Sequence, residues 1–343
     1  MSNYSKKWKV LGICAGQGAL LFPFRRQLIG NIEPRAVFHT KKEEQWKLNF
    51  GEIPFLRGEL PEEFDPDIII SSPDCGASSI MRLSKVKQLG NPEKNASLNL
   101  VMEGIMKYKP RIFFIENVPR LINLIPKQVW ESTFKKYHLV FHCRSASDYG
   151  NSQVSRKRLI IIGIKKSCKN YLNTFNEVFQ VNNPKNSRKV LETPFGSNFM
   201  IPLNKTLAMY DYRKLPQKIN LTVEEIQKLW IGDFSKEKKW PIKTARMSTL
   251  PGVYRLEENK PPLTLRPADR QFRPDGWPLG ILDFKNIQGF PKRYKIFMDE
   301  ENYLYWLNKA RYTIAKGAVY EMGIWFKKCL KYENQGKKNL QRS

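Results

Sequence analysis

The chain has 343 residues, 41% of them hydrophobic and 12% aromatic, a size that suits one α/β domain of about 200–250 residues with a smaller unit beside it. With 59 Lys and Arg against 32 Asp and Glu, the net charge is +27, which favours a polyanionic partner, and nucleic acid above all. No apolar run approaches the roughly 20 residues that a bilayer span needs, and Met1–Lys7 lacks the apolar core of a secretory signal, so the expectation is a cytoplasmic protein with no membrane contact.

Taken in chain order, the first half alternates short apolar runs with amphipathic stretches, the pattern of a parallel sheet covered by helices. Strands are predicted at Lys9–Cys14, Arg35–His39, Asp67–Ser71, Arg111–Glu116, Tyr137–Cys143 and Leu159–Ile164. The unbroken runs Ile68–Ile70 and Ile112–Ile115 fit strands buried on both faces. Between the third and fourth strands, Leu98, Val101, Met102, Ile105 and Met106 recur at helical spacing. A helix is predicted over Leu98–Lys109, stopped by Pro110. From about Lys166 the composition shifts: residues 168–260 are rich in Asn, Lys, Pro and aromatics with little periodicity. There Arg213–Lys218 and Lys236–Arg246 interleave basic charge with Tyr212, Trp230 and Trp240. Periodicity returns near Gly280, and Tyr312–Lys327 reads as a last element packing on the first domain. Asn334–Ser343 reads as a polar, frayed tail.

The five cysteines (Cys14, Cys75, Cys143, Cys168, Cys329) show no C-x-x-C spacing, and the histidines are only His39, His138 and His142. This argues against a disulfide framework, a metal site or a Ser-His-Asp triad. In an open α/β sheet, ligands sit outside the C-terminal ends of the strands. Three predicted ends carry polar or reactive groups: Ala15-Gly16-Gln17-Gly18, Ser71-Ser72-Pro73-Asp74-Cys75 and Glu116-Asn117-Val118-Pro119. The first is a glycine turn that lets a cofactor approach the backbone. A thiol and a carboxyl at neighbouring strand tips suit chemistry in which a ring carbon is attacked and a ring nitrogen protonated. Downstream, Gln153–Arg158 places arginines where they could bind a phosphate or a base carbonyl.

The order of these segments resembles the C5-cytosine DNA methyltransferases. The resemblance rests on Ala15–Gly18, Pro73–Cys75, Glu116–Val118, Gln153–Arg158, Leu263–Pro274, Gln288-Gly289-Phe290-Pro291 and Lys316-Gly317-Ala318-Val319, and it covers most of the chain outside the recognition module. It implies a Rossmann-like S-adenosylmethionine-dependent methyltransferase sheet with a smaller, irregular target-recognition domain. The expected boundaries are 1–167 for the catalytic and cofactor domain, 168–262 for target recognition, 263–333 for a return segment and 334–343 for the tail. It also implies roles. Cys75 would attack C6 of a flipped-out cytosine in double-stranded DNA, and Glu116 would bond N3 and the exocyclic amine. Arg158 would hold O2, Arg156 would brace the pocket or a phosphate, and Asn117 would position the Cys75 loop. Arg82, Lys85 and Lys87 would lie in a loop closing over DNA. Ala15, Gly16, Gly18 and Glu59 would line the cofactor site, together with Lys41, Lys316 and Gly317. The expected protein is a monomer.

Four departures stand against the family pattern. Asp74 precedes the nucleophile, where a carboxylate raises a neighbouring thiol's pKa. Cys14 replaces an aromatic residue, and Gly12 an acid. Lys41 aligns with the acid that normally binds the ribose, unless Glu43 or Glu44 substitutes. Lys316-Gly317 replaces the closing Gly-Asn. The lysines leave open a carboxylated analogue, carboxy-S-adenosylmethionine, and hence carboxymethyl transfer. The same departures leave room for a catalytically inactive DNA-binding relative, and the family's RNA branch for an RNA cytosine-C5 methyltransferase.

Overall fold

The computed structural model describes residues 8–34, 40–74, 95–176, 185, 187–191, 253–257, 259–265, 270–272, 279, 281–296, 314 and 318–340. Its centre is a seven-stranded sheet. The strands are β1 (Val10–Ile13), β2 (Leu28–Glu33), β3 (Phe55–Arg57), β4 (Ile68–Ser71), β5 (Ile112–Asn117), β6 (Tyr137–Ser145) and β7 (Lys157–Lys165). They run in the order β3-β2-β1-β4-β5-β7-β6. The pairs β1–β2, β2–β3, β1–β4 and β4–β5 are parallel, whereas β7 is antiparallel to both β5 and β6. The sheet is therefore mixed rather than wholly parallel, and it has the Rossmann-like α/β form that the resemblance implies.

Both faces of the central strands are buried, which is why they read as continuous Ile and Phe runs. Leu11, Ile13, Ile69, Phe113, Ile115 and Ile161 face one layer. That layer includes α2 (Ala96–Tyr108), which buries Leu98, Val101 and Ile105. Asn95 caps this helix by accepting the Leu98 N–H at 3.2 Å, and Lys109 ends it in the left-handed region before Pro110. On the other face lie Val10, Ile68, Ile70, Ile112 and Phe114. There α1 (Thr40–Phe50) contributes Trp46 and Phe50 to the same cluster. The long terminal helix α5 (Tyr320–Leu340) sets Phe326 against Phe114 at 4.8 Å between ring centroids. Two shorter helices, α3 (Lys127–Thr133) and α4 (Ile281–Ile287), complete the layers used below.

Several sequence expectations are corrected. The expected strand Arg35–His39 lies outside the described residues, and the second strand of the sheet in chain order is Leu28–Glu33. Its sequence, Leu-Ile-Gly-Asn-Ile-Glu, hides a largely buried strand because Asn31 and Glu33 are interior polar residues, joined where Asn31 Nδ2 donates to Glu33 Oε1. The short strand Phe55–Arg57 has no apolar alternation to announce it. The last helix begins at Tyr320 and continues through Leu340, into the stretch expected as a frayed tail. Beyond the main sheet, β8 (Val253–Arg255) and β9 (Arg270–Phe272) form a parallel pair. Among the described residues no helix is long and apolar enough to cross a membrane.

Candidate active site

The chain changes direction across the sheet between β1 and β4, so the C-terminal tips of β1, β2, β4 and β5 gather around one crevice. At the tip of β5 the Glu116 carboxylate is almost wholly buried and both its oxygens are engaged. Ser72 Oγ donates to Oε2 at 2.6 Å, and Arg158 Nε donates to Oε1 at 2.8 Å. Ser72 follows β4 and Arg158 lies at the start of β7, so the sheet alone brings together residues far apart in sequence. The Glu116 and Arg158 side chains are 5% and 15% exposed. At that burial a charge-assisted pair is held firmly, and either partner left alone would be costly.

The backbone leading to Cys75 is clamped. Asn117 Nδ2 donates to the Pro73 carbonyl at 3.1 Å, while its own Oδ1 accepts the Val118 N–H at 2.8 Å. Asn95 Nδ2 donates to the Asp74 carbonyl at 2.8 Å. The helix cap of α2 thereby also ties Asp74 to Asn95. The Ser72 N–H donates to the Cys14 carbonyl at 3.3 Å, which links this segment to the glycine turn after β1. Ser72 and Asn95 were not singled out in the sequence. Ser72 stands in the polar segment after β4 without a role assigned from sequence, and the roles of both depend on contacts between segments far apart in the chain.

At the tips of β1 and β2, Gly16 has φ +60° and donates its N–H to Glu33 Oε1 at 2.8 Å. Asn31 Nδ2 donates to the same oxygen at 3.2 Å. A side chain at Gly16 would meet nothing within 4 Å, so the turn opens onto free space. Gly18 is different: a Cβ there would lie 2.5 Å from the Phe50 ring, and helix packing is what demands glycine. The tip of β3 joins the crevice through Gly58, whose N–H donates to the Glu33 carbonyl at 2.6 Å. Exposed Glu59 follows directly. Cys14, also at a positive φ of +55°, turns its buried thiol to the Ser97 carbonyl at 3.3 Å.

Behind Arg158 lies a buried polar hub. Gln153, wholly buried, donates to Gln288 Oε1 at 2.7 Å and accepts the Leu265 N–H at 2.9 Å. Its backbone N–H donates to Asn151 Oδ1 at 2.9 Å, and Asn151 Nδ2 donates to Glu321 Oε2 at 3.0 Å. The loop before β7, the segment around Leu265, the Gln288-Gly289 turn after α4 and helix α5 are thus pinned at one point. Burial pushes the Glu321 carboxyl up to about 7, against a downward pull from its bond to Asn151 and from Lys185.

A family model for the C-5 cytosine-specific DNA methylase matches residues 30–307. The chain belongs to this family. Among curated proteins, the Type II methyltransferase M1.HgaI of Avibacterium volantium is 36% identical over 152 residues, covering 41% of this chain and 38% of that protein. The match therefore spans well under half of that relative's length. Solved structures agree in fold. A prophage-encoded E. coli protein described as a DNA modification methyltransferase superposes with a TM-score of 0.65 at 16% identity, covering 95% of this chain and 99% of that one. The Entamoeba histolytica methyltransferase EhMeth gives 0.61 at 13% identity over 95% and 98% of the two chains. The S. pombe Dnmt2 methyltransferase gives 0.59 at 11% identity over 95% and 99%.

Set on this methylase fold, the residues expected from sequence divide clearly. Glu116, Asn117 and Arg158 meet at one strand tip, and Ala15, Gly16 and Glu59 lie at the tips of β1 and β3. Cys75, Arg82, Lys85, Lys87, Lys316 and Gly317 lie outside the described residues. Arg156 is turned inward and buried, and its Nη1 donates to the Leu265 carbonyl at 3.2 Å. It braces the hub and is not placed as a phosphate ligand. Lys41 belongs to the first turn of α1, beyond the strand end. The acid at the tip of β2 is Glu33, 2% exposed, in a strand whose polar sequence does not announce it. Glu43 and Glu44 lie on the same helix as Lys41, and Glu43 pairs with Lys47 at 3.2 Å. The missing acid at Gly12 also has a local cause. A Cβ there would sit 2.4 Å from Asn31 Oδ1, so Asn31 fills that space from the neighbouring strand. An open glycine turn beside a buried carboxylate at the second strand tip is a donor set that fits S-adenosylmethionine.

Proposed function

We propose that the chain is a DNA cytosine-C5 methyltransferase, with Cys75 as nucleophile and Glu116 as the acid acting on the ring nitrogen. The observation that carries this reading is the position of Glu116, joined to Ser72 on the segment leading to Cys75 and to Arg158 on the opposite strand. The cofactor supplies an electrophilic methyl group on a sulfonium; Gly16 and Glu33 would hold it at the β1 and β2 tips. The Cys75 thiolate adds to C6 of the extruded cytosine, and Glu116 keeps a proton at N3, so that negative charge does not build up on the ring. Arg158 orients Glu116 and bonds O2 of the base. Asn117 and Asn95 hold the peptide before Cys75, which limits the loss of geometry on base entry. Once C5 carries the methyl group, its proton leaves and the thiol is eliminated, restoring the aromatic ring.

The substrate is double-stranded DNA, with sequence choice assigned to residues 168–262 and catalysis to 1–167 completed by 263–333. The protein would act as a monomer in the cytoplasm of a bacterium or a phage-infected host cell. The acid at Glu33 also bears on cofactor choice: a carboxylated analogue drew support from Lys41 or Lys316, and a carboxylate at the β2 tip, suited to the ribose hydroxyls, favours the ordinary cofactor over pairing through Lys41. Mass spectrometry of nucleosides from DNA of cells expressing the protein tests the reading. 5-Methylcytosine is expected with the wild type and none with Cys75→Ser. Unmodified DNA, carboxymethylcytosine, or methylated transfer RNA with unmodified DNA would each overturn it.

A further inference from the structure

We infer that the methylase carries a second phosphate-binding surface, away from the catalytic crevice, that holds another segment of duplex DNA. The surface is built on the turn Phe22-Pro23-Phe24, between the β1 tip and β2. Arg25 and Arg293 place their guanidinium carbons 5.4 and 5.5 Å from the centre of the Phe22 ring. Lys327, on α5, lies 5.3 Å from the centre of the Phe24 ring and donates to the Pro23 carbonyl. Arg26 and Lys331 complete the group, and both are exposed, as is Arg293.

Aromatic faces hold these cations without neutralising them, and guanidinium N–H edges stay free for bidentate contact with phosphate. Among the described residues no carboxylate pairs with any of the five. Their mutual repulsion is visible at Lys327, whose ammonium is pushed below its ordinary range first by burial and then by Lys331, Arg26 and Arg293. A fold that gathers like charges around one turn bears a cost that an anion from outside would relieve. A phosphodiester backbone presents charges at regular intervals and can meet several such cations at once.

The location separates this surface from the catalytic one. Gly18 stands at the β1 tip, whereas the Gln27 carbonyl accepts the N–H of Val10 at the other end of the same strand. Residues 22–26 therefore descend along the sheet's outer layer, away from Glu116. A duplex engaged at the crevice would leave this surface to a neighbouring segment of the same polymer, held at high effective concentration. The inference rests on DNA as the polymer acted on at the strand tips, but its test does not require catalysis.

The test is fluorescence anisotropy and stoichiometric titration of the whole protein with a 20-bp duplex over a salt series, using the wild type and Arg26→Glu/Lys331→Glu. The wild type is expected to bind two duplexes and the variant one, and the salt dependence of the second binding event should be lost with it. The variant's thermal midpoint should stay level or rise, because repulsion around Lys327 is relieved; this shows that it is folded. Methylation of short, sheared genomic DNA should be unchanged, so failure at the catalytic crevice would register separately. A wild type that binds one duplex at saturation would overturn the inference. So would a variant with unchanged stoichiometry and slope, or displacement of the second duplex by lower concentrations of duplex RNA.

Discussion

Arg158 Nε donates to Glu116 Oε1 at 2.8 Å, across the antiparallel junction of β5 and β7. This pair joins the parallel half of the sheet to the antiparallel edge at the point where the base would sit. Removing one partner leaves the other charge in a buried place. Arg158→Ala is therefore expected to destabilise the fold by about 3 kcal/mol, seen as a lower urea midpoint. Glu116→Gln keeps the hydrogen-bonding shape, so it should fold normally yet lose at least about 100-fold in methyl-transfer rate. A Glu116→Gln protein of wild-type rate would remove Glu116 from the proposed chemistry.

Glu33 accepts from both Gly16 and Asn31, and its carboxylate is the acid at the β2 tip. Isothermal titration with S-adenosylmethionine should show Glu33→Gln weakened by roughly ten- to a hundredfold, the scale of a lost charge-assisted bond. Lys41→Ala should bind as the wild type does. The reverse ranking would return Lys41 to the cofactor site and reopen the carboxylated analogue.

Asn95 does two jobs with two atoms: its Oδ1 caps α2, and its Nδ2 holds the Asp74 carbonyl. Asn95→Ala should cost about 1 kcal/mol of stability and slow the reaction. Asn95→Asp keeps an acceptor for the Leu98 N–H but has no N–H for Asp74. Its stability should recover while its rate stays low. Denaturation and single-turnover kinetics on the same samples separate the two effects.

Glu321 supplies a pH dependence whose sign can be worked out. Its folded carboxyl titrates near 7, against an ordinary value of 4.5, so the folded state holds the proton more tightly than the unfolded one. The fold is then favoured below about 4.5, and that advantage is lost as pH rises through about 7. The loss is at most about 3 kcal/mol, at about 1.4 kcal/mol for each pH unit of difference. Lys185 and Asn151, which face this carboxyl, already act to lower its value. Thermal midpoints measured from pH 5 to pH 8 should fall less steeply in Glu321→Gln than in the wild type. Parallel curves would mean that Glu321 does not titrate in this range.

The sequence by itself determined the central architecture, because that information is local. Ile68–Ile70 and Ile112–Ile115 read as strands buried on both faces, and the helical spacing of Leu98, Val101 and Ile105 marks α2. Glycines and strand-end motifs also pointed to Gly16, Glu116, Asn117 and Arg158 before any fold was known. What the tertiary structure decided is which polar groups meet. Glu33 went unseen because a strand holding Asn31 and Glu33 looks polar until Gly16 and Asn31 are found donating to the Glu33 carboxylate. Arg156 could brace the pocket or a phosphate by sequence, and its buried guanidinium bonded to the Leu265 carbonyl favours bracing. In each case the deciding contact joins residues on different strands or segments. A hydrogen bond of that kind leaves no period in the sequence, since it is set by the register and crossing of the sheet.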